Sequence, residues 1–251
     1  MTDKSNSSRL SEKVAIVTGG GTGIGRAAAQ ALVNQGAKVL VVGRRESPIK
    51  ELADKYDGAM GYLQADISQS GSSKSIIDTA VETFGRLDIL VNNAGTAVIK
   101  PIAETTDEEI EQMLSVNIKG MLALSRDAIP ALQESQGSII NISSVAGQSA
   151  VPGFSTYGAT KSAIDRITKI LAVELGSLGI RVNVVSPGLT KTDMLEATPP
   201  EVIEKMVNEA TALRRVGTPE DVAQSIAWLS GNDSGWITGQ ILQASGGFLL
   251  S

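Results

Sequence analysis

Residues 14–25 constrain this chain more than any other stretch. Val14-Ala15-Ile16-Val17 is a continuous apolar, largely β-branched run that ends at Thr18-Gly19. That is the pattern of a strand buried on both faces of a parallel sheet. Gly19, Gly21, Thr22, Gly23, Ile24 and Gly25 fall in the turn that follows, and an Ala-rich helical stretch from Arg26 to Gln35 is stopped by Gly36. A second apolar run, Lys38–Val42, comes next. Strand, glycine turn, helix and strand make a βαβ unit. Glycine lets the backbone approach a pyrophosphate closely, and a helix N-terminus offers free N–H groups and the positive end of its dipole. The cluster therefore points to a dinucleotide. It is not a P-loop, which needs a Gly-Lys-Ser/Thr ending.

The alternation continues. Strands are expected at 61–65, 89–91, 138–142, 182–185 and 241–243. Helices are expected at 72–84, within 107–133, and at 157–177, 199–210 and 219–229. No linker, repeat or low-complexity segment divides the chain. The expected fold is α/β, a single-domain, Rossmann-like, doubly wound parallel sheet flanked by helices. It would cover residues 12–251, with residues 1–11 as a flexible N-terminal tail.

Composition removes whole classes of chemistry. The 251 residues include no His and no Cys. His-dependent triads, thiol nucleophiles, disulfides and His/Cys metal sites are thereby excluded, and no metal is expected. The 22 basic residues are outnumbered by 27 acidic ones and do not cluster, so no nucleic-acid partner is expected. No apolar run approaches a membrane span, and Met1–Ser8 is polar without a signal core. A cytoplasmic location is the expectation.

One catalytic pair survives that cut. Tyr157 and Lys161 are four residues apart, on one face of a helix. A nearby ammonium stabilises a phenolate and lowers the phenol's pKa, so such a Tyr can give a proton to a carbonyl oxygen or take one from an alcohol.

With Thr18–Gly25, Asp66, Asn92–Gly95, Asn117, Ser144, Tyr157, Lys161, Pro187-Gly188 and Thr192 in this order and spacing, the chain resembles the short-chain dehydrogenase/reductase superfamily in its single-domain form. The resemblance covers about residue 10 to the C-terminus. It implies a catalytic tetrad of Asn117, Ser144, Tyr157 and Lys161. Tyr157 would be the general acid or base and Lys161 would bind the nicotinamide ribose and lower the Tyr157 pKa. Ser144 would hold the substrate oxygen and Asn117 a proton-relay water. Ser143 does not fit, because only Ser144 stands thirteen residues before Tyr157. By the same resemblance Asp66 and Ile67 hold adenine, Asn93, Ala94 and Gly95 line the adenosine, and Pro187, Gly188, Leu189, Thr190 and Thr192 clasp the nicotinamide and diphosphate.

The cofactor is expected to be NADP(H) rather than NAD(H). NAD users place a carboxylate at the end of the second strand, whereas this chain has Gly43-Arg44-Arg45. A guanidinium pairs with a 2′-phosphate, and Arg44 is the first candidate with Arg45 second. The substrate is expected to be a small-molecule ketone or secondary alcohol, in a pocket that includes Ala146, Ala150, Phe154, Met194 and Leu195. Residues 194–206 could form a lid. Alternatives are a 3-oxoacyl-carrier-protein reductase, a sugar or polyol dehydrogenase and a non-catalytic NADP sensor. Pro130 and Leu178 stand where carrier-protein reductases commonly have basic residues. Family resemblance also implies a homotetramer or dimer. Phe248-Leu249-Leu250 is apolar for a chain end, which suggests that it is hidden at a subunit interface.

Overall fold

The computed structural model describes residues 9–196 and 198–249. Among the described residues seven strands run in chain order: β1 (Val14–Thr18), β2 (Lys38–Gly43), β3 (Met60–Gln64), β4 (Ile89–Asn92), β5 (Ser138–Ile142), β6 (Arg181–Pro187) and β7 (Ile241–Ala244). They form one parallel sheet in the order β3-β2-β1-β4-β5-β6-β7. The helices are α1 (Gly23–Asn34), α2 (Glu46–Ala53), α3 (Ser72–Phe84), α4 (Asp107–Leu114), α5 (Met121–Ser135), α6 (Ser155–Gly176), α7 (Asp193–Glu196), α8 (Pro200–Ala210) and α9 (Pro219–Ser230).

Side-chain alternation along the strands explains the layering. Ala15, Val17, Val39, Val41 and Val91 turn to one face, where they pack with Ala28 and Leu32 of α1 and with Val222 and Ile226 of α9. Ile16, Leu40, Leu90 and Ile139 turn to the other, against Ile76 and Ala80 of α3, Leu124 and Ala128 of α5 and Leu175 of α6. Both faces are covered, which is why the strands read as unbroken apolar runs. The strand order reverses between β1 and β4, and a crevice opens beyond the carboxyl ends of those two strands.

One expectation is corrected here, and two features were not foreseen. Leu10, assigned from the sequence to the loose tail, is 1% exposed, packs in the α1/α9 core and donates its N–H to the Gln35 carbonyl at 2.9 Å. The packed chain therefore starts no later than Leu10. Helix α2 was not foreseen; Pro48 lies in its first turn, where a missing N–H costs nothing. The helical region 107–133 is two helices joined by a π turn, Ser115–Gly120. Gly120 permits that joint, since a Cβ there would lie 2.8 Å from the Ile67 carbonyl oxygen. Among the described residues no helix is long and apolar enough to cross a membrane.

Candidate active site

The glycine turn and the end of β4 are tied into one unit at the switch point. Thr18 Oγ1 donates to the Val91 carbonyl at 3.3 Å and accepts from the backbone N–H of Asn93 and Ala94, each at 3.1 Å. Asn93 Nδ2 donates back to the carbonyl oxygens of Thr18 at 2.9 Å and Gly19 at 3.2 Å. Asn93 is thus a brace for the loop as well as a wall of the crevice. The brace crosses so close to α1 that a Cβ on Gly25 would lie 2.2 Å from the Gly19 carbonyl oxygen and 2.4 Å from Asn93 Nδ2. Gly25→Ala must therefore push α1 off the loop. Overpacking of this kind costs roughly 1–3 kcal/mol, which for a chain of this size lowers Tm by about 2–12 °C. A thermal melt of Gly25→Ala at the wild-type temperature would remove this account of the turn.

Ser144 caps a 3₁₀ turn, Val145–Gly147, its Oγ accepting from the Ala146 N–H at 3.2 Å. Tyr157 lies in the first turns of α6 with its hydroxyl against Ser144 and its ring edge-on to Phe154, centroids 6.1 Å apart. Lys161, one turn on, is 5% exposed, and its Nζ donates to the Ile142 carbonyl at 2.9 Å, 5.6 Å from the Tyr157 ring centre. Asn117 sits in the π turn, 1% exposed. Its Oδ1 accepts from the Thr96 N–H at 2.8 Å, while Nδ2 donates to the Thr96 carbonyl at 2.9 Å and to Thr160 Oγ1 at 3.1 Å. Asn117 therefore staples the loop after β4 onto α6. A Cβ on Gly95 would lie 3.3 Å from Asn117 Oδ1 and 3.7 Å from Lys161 Nζ, so the two side chains meet across that glycine.

The electrostatics depart from expectation at Tyr157. Burial raises its pKa above 10.0, and the Ser144 hydroxyl opposes that rise. Burial outweighs the charge that Lys161, turned to the Ile142 carbonyl, holds 5.6 Å from the ring centre. Burial also lowers Lys161 itself, from 10.5 to about 8, with the Asp165 charge acting against the drop. Desolvation wins at both groups because each is nearly sealed from water.

These groups open onto a cleft of about 720 Å³. Ser144, Tyr157 and Lys161 line it, as do Gly19, Gly21, Thr22, Gly23, Ile24, Gly25, Arg44, Arg45, Asp66, Ile67, Asn93, Ala94 and Gly95. Pro187, Gly188, Leu189, Thr190 and Thr192 close it from the β6 side, and Thr192 covers the turn: its Cγ2 would be 3.1 Å from a Cβ on Gly23. Asp66 Oδ1 also accepts from the N–H and the hydroxyl of Ser68, at 2.9 and 2.8 Å, and so fixes the turn after β3. Of the expected substrate residues, Ala146, Phe154, Met194 and Leu195 line the cleft and Ala150 does not.

Other walls were missed. Pro48 and Ile49 come from the unforeseen α2, and Val42 and Val116 are core-like residues with no signal of their own. Phe248 and Leu249 also reach the cleft. Phe248 is 7% exposed, bridges to Thr211, and is followed by a Leu249 N–H bond to the Ala210 carbonyl at 3.1 Å. These two residues are thus placed inside their own subunit, where the apolar chain end had suggested a subunit interface; Leu250 lies outside the described residues.

A family model described as "Enoyl-(Acyl carrier protein) reductase" matches residues 19–249. An uncharacterized oxidoreductase of Methylorubrum extorquens is 40% identical over 96% of this chain and 99% of its own. A 3-alpha-(or 20-beta)-hydroxysteroid dehydrogenase of Mycobacterium tuberculosis is 37% identical over 96% of this chain and 91% of its own. A 3-oxoacyl-[acyl-carrier-protein] reductase of Thermotoga maritima is 32% identical over 96% and 100%. Among solved structures, a 7 alpha-hydroxysteroid dehydrogenase complexed with NADH and 7-oxo glycochenodeoxycholic acid superposes with a TM-score of 0.93 at 30% identity, covering 100% of this chain and 99% of that one. With an all-parallel, doubly wound sheet and relatives of this extent, the chain belongs to the short-chain dehydrogenase/reductase superfamily, an oxidoreductase family that uses nicotinamide cofactors.

Proposed function

We propose that this protein is an NADP(H)-dependent carbonyl reductase, equivalently an alcohol dehydrogenase, acting on a small or medium ketone with Tyr157 as its general acid or base. The observation that carries the reading is the joint opening of Tyr157, Ser144 and Lys161 onto the same cleft as the glycine turn and Arg44. The cleft's fit to a dinucleotide rests on the turn itself, where Gly23 takes a φ of +51° and a Cβ on it would crowd Thr192. The nicotinamide, when bound, supplies or accepts the hydride.

The chain's own residues do the rest. The N-terminus of α1 presents backbone N–H groups to a pyrophosphate. Arg44, beyond the last residue of β2, meets a 2′-phosphate, and among the described residues neither Arg44 nor Arg45 is engaged in an ion pair. The Ser144 hydroxyl donates to the substrate oxygen and stabilises the charge that grows there. The Tyr157 hydroxyl delivers its proton to that oxygen. Its raised pKa keeps it protonated, and thus an acid, across neutral pH. Lys161 binds the nicotinamide ribose hydroxyls and holds positive charge beside the phenol. Asn117 holds the loop that borders this route and anchors the relay water.

The substrate end is apolar. Ile99, Val151, Phe154, Met194, Met206, Phe248 and Leu249 line the cleft. That lining supports a ketone over a sugar or polyol. Helix α8, with no buried residue among those described, suits a lid over residues 194–206. A homotetramer or dimer belongs to the same proposal, supported by exposed Leu114 and Leu122 on α4 and α5 and by Ile170 and Val173, 82% exposed, on α6. So does a cytoplasmic location, which suits a chain without Cys.

The test is NADPH and NADH oxidation against ketones, 3-oxoesters and sugars, with Arg44→Ser alongside. Loss of one charged hydrogen bond to the 2′-phosphate is worth roughly 1.5–3 kcal/mol. NADPH should then bind about 10–100-fold more weakly, while NADH binding changes little. Wild-type turnover that prefers NADH would overturn the cofactor assignment, and preference for sugars would overturn the substrate class.

A further inference from the structure

The reduction chemistry leaves one buried acid without a task. Asp165 stands one helical turn after Lys161 on α6 and is 7% exposed. Its Oδ1 is sealed from solvent. Its Oδ2 accepts from Gln148 Nε2 at 2.9 Å, and Gln148 Oε1 in turn accepts from Gln243 Nε2 of β7 at 2.8 Å. Gln148 is the residue that ends the 3₁₀ turn begun at Ser144.

That turn is seated on α6 at four points. Ser143 Oγ donates to the Lys161 carbonyl at 3.1 Å, and Ser162 Oγ donates to the Gly147 carbonyl. Gly147 lies so close that a Cβ on it would be 2.8 Å from the Lys161 carbonyl carbon. The fourth point is the Gln148–Asp165 bond. The first three are neutral, and the fourth uses a carboxylate of α6 itself.

We propose that Asp165 is a positioning residue of this active site, clamping the Ser144 turn to α6 through Gln148 and supplying the counter-charge that keeps buried Lys161 protonated. An ammonium held by a single carbonyl in a dry site needs such a partner, since burial alone drives it towards the neutral amine. Lys161 already falls to about 8, and the Asp165 charge is what opposes a further drop. Asp165 is itself pushed up by burial. It is held down by Ser143 and Gln148 from the turn and by Lys169 and Lys161 from its own helix. The kinetic consequence rests on the reductase reading above, whereas the charge coupling does not.

Asp165→Asn tests the charge, because the amide oxygen still accepts from Gln148. In protein carrying ¹³C at the lysine ε-carbons, with the Lys161 signal assigned by Lys161→Arg, the Lys161 titration midpoint should fall by about 1 pH unit. The alkaline limb of kcat/KM for ketone reduction should move down with it, and Asp165→Glu should restore both. Should Asp165→Asn not fold, Asp165→Ser offers the same neutral readout. Gln148→Ala tests the clamp, with kcat expected to fall several-fold while the alkaline limb stays in place. An unmoved Lys161 midpoint in the neutral variants overturns the counter-charge, and wild-type kcat in Gln148→Ala overturns the clamp. A shifted midpoint in a protein that reduces no ketone would instead sink the reductase reading and leave the coupling standing.

Discussion

Tyr157→Phe is expected to lower kcat/KM for ketone reduction by about 10²–10⁴-fold while Tm and NADPH affinity stay close to wild type. The ring is structural and the hydroxyl is chemical, and in this fold the two separate cleanly. The ring is 8% exposed, packed with Met113 and Ala146 and edge-on to Phe154, and phenylalanine reproduces all of that. The hydroxyl faces Ser144 and the open cleft, so its removal strands no buried partner. What disappears is the proton that the proposed mechanism delivers to the substrate oxygen. Ser144 can still donate a hydrogen bond there, which is why residual activity should remain. Initial rates at saturating NADPH, with a melt and a fluorescence titration of cofactor, separate these effects. A variant retaining more than a tenth of wild-type kcat/KM would show that another group protonates the substrate.

The parts of this site that could be read from residues alone are those whose physics is local. A β-branched run feeding a glycine turn has few uses other than a buried parallel strand before a helix N-terminus, and Val14–Gly25 forms that unit. Tyr157 and Lys161 share a face because α6 is continuous through both. What escaped was set by contacts distant in sequence. The π turn at Ser115–Gly120 has no period of its own; it exists where Asn117 reaches the Thr96 backbone and Gly120 meets Ile67. Helix α2 was not foreseen, although its apolar positions Ile49 and Leu52 are fully buried. Phe248 looked like an interface residue because nothing nearby in sequence could cover it; its cover comes from the chain beyond α8, through the Thr211 bridge. The Tyr157 pKa was misjudged for a related reason. Spacing places Lys161 beside the phenol, but only the fold reveals that its Nζ is held by Ile142 and that both groups are desolvated.

Lys161→Met should produce an inactive protein that is more stable than wild type. Activity should fall by about 10²–10⁴-fold, because the charge beside Tyr157 and the ribose contact proposed for Lys161 are both lost. Stability should move the other way. A lysine pKa taken from 10.5 to about 8 by burial corresponds to roughly 3 kcal/mol against the folded state at neutral pH. Methionine removes that cost but leaves the Ile142 carbonyl without its donor, a loss of about 1–2 kcal/mol. The net gain is about 1–2 kcal/mol, or about 2–8 °C in Tm. The sign of the pH dependence follows from the same linkage. Below about pH 8 both folded and unfolded wild-type chains carry the Lys161 proton, and the burial cost stands in full. Between about pH 8 and 10.5 the folded chain has released that proton while the unfolded chain keeps it, so wild-type stability gains on the variant as pH rises. Melts of the two proteins should therefore differ most at pH 6–7 and converge towards pH 10. A variant less stable than wild type at pH 7, or a gap that ignores pH, would mean that Lys161 is held by attractions stronger than its desolvation. Such a site would be built for the charge at rest rather than strained by it.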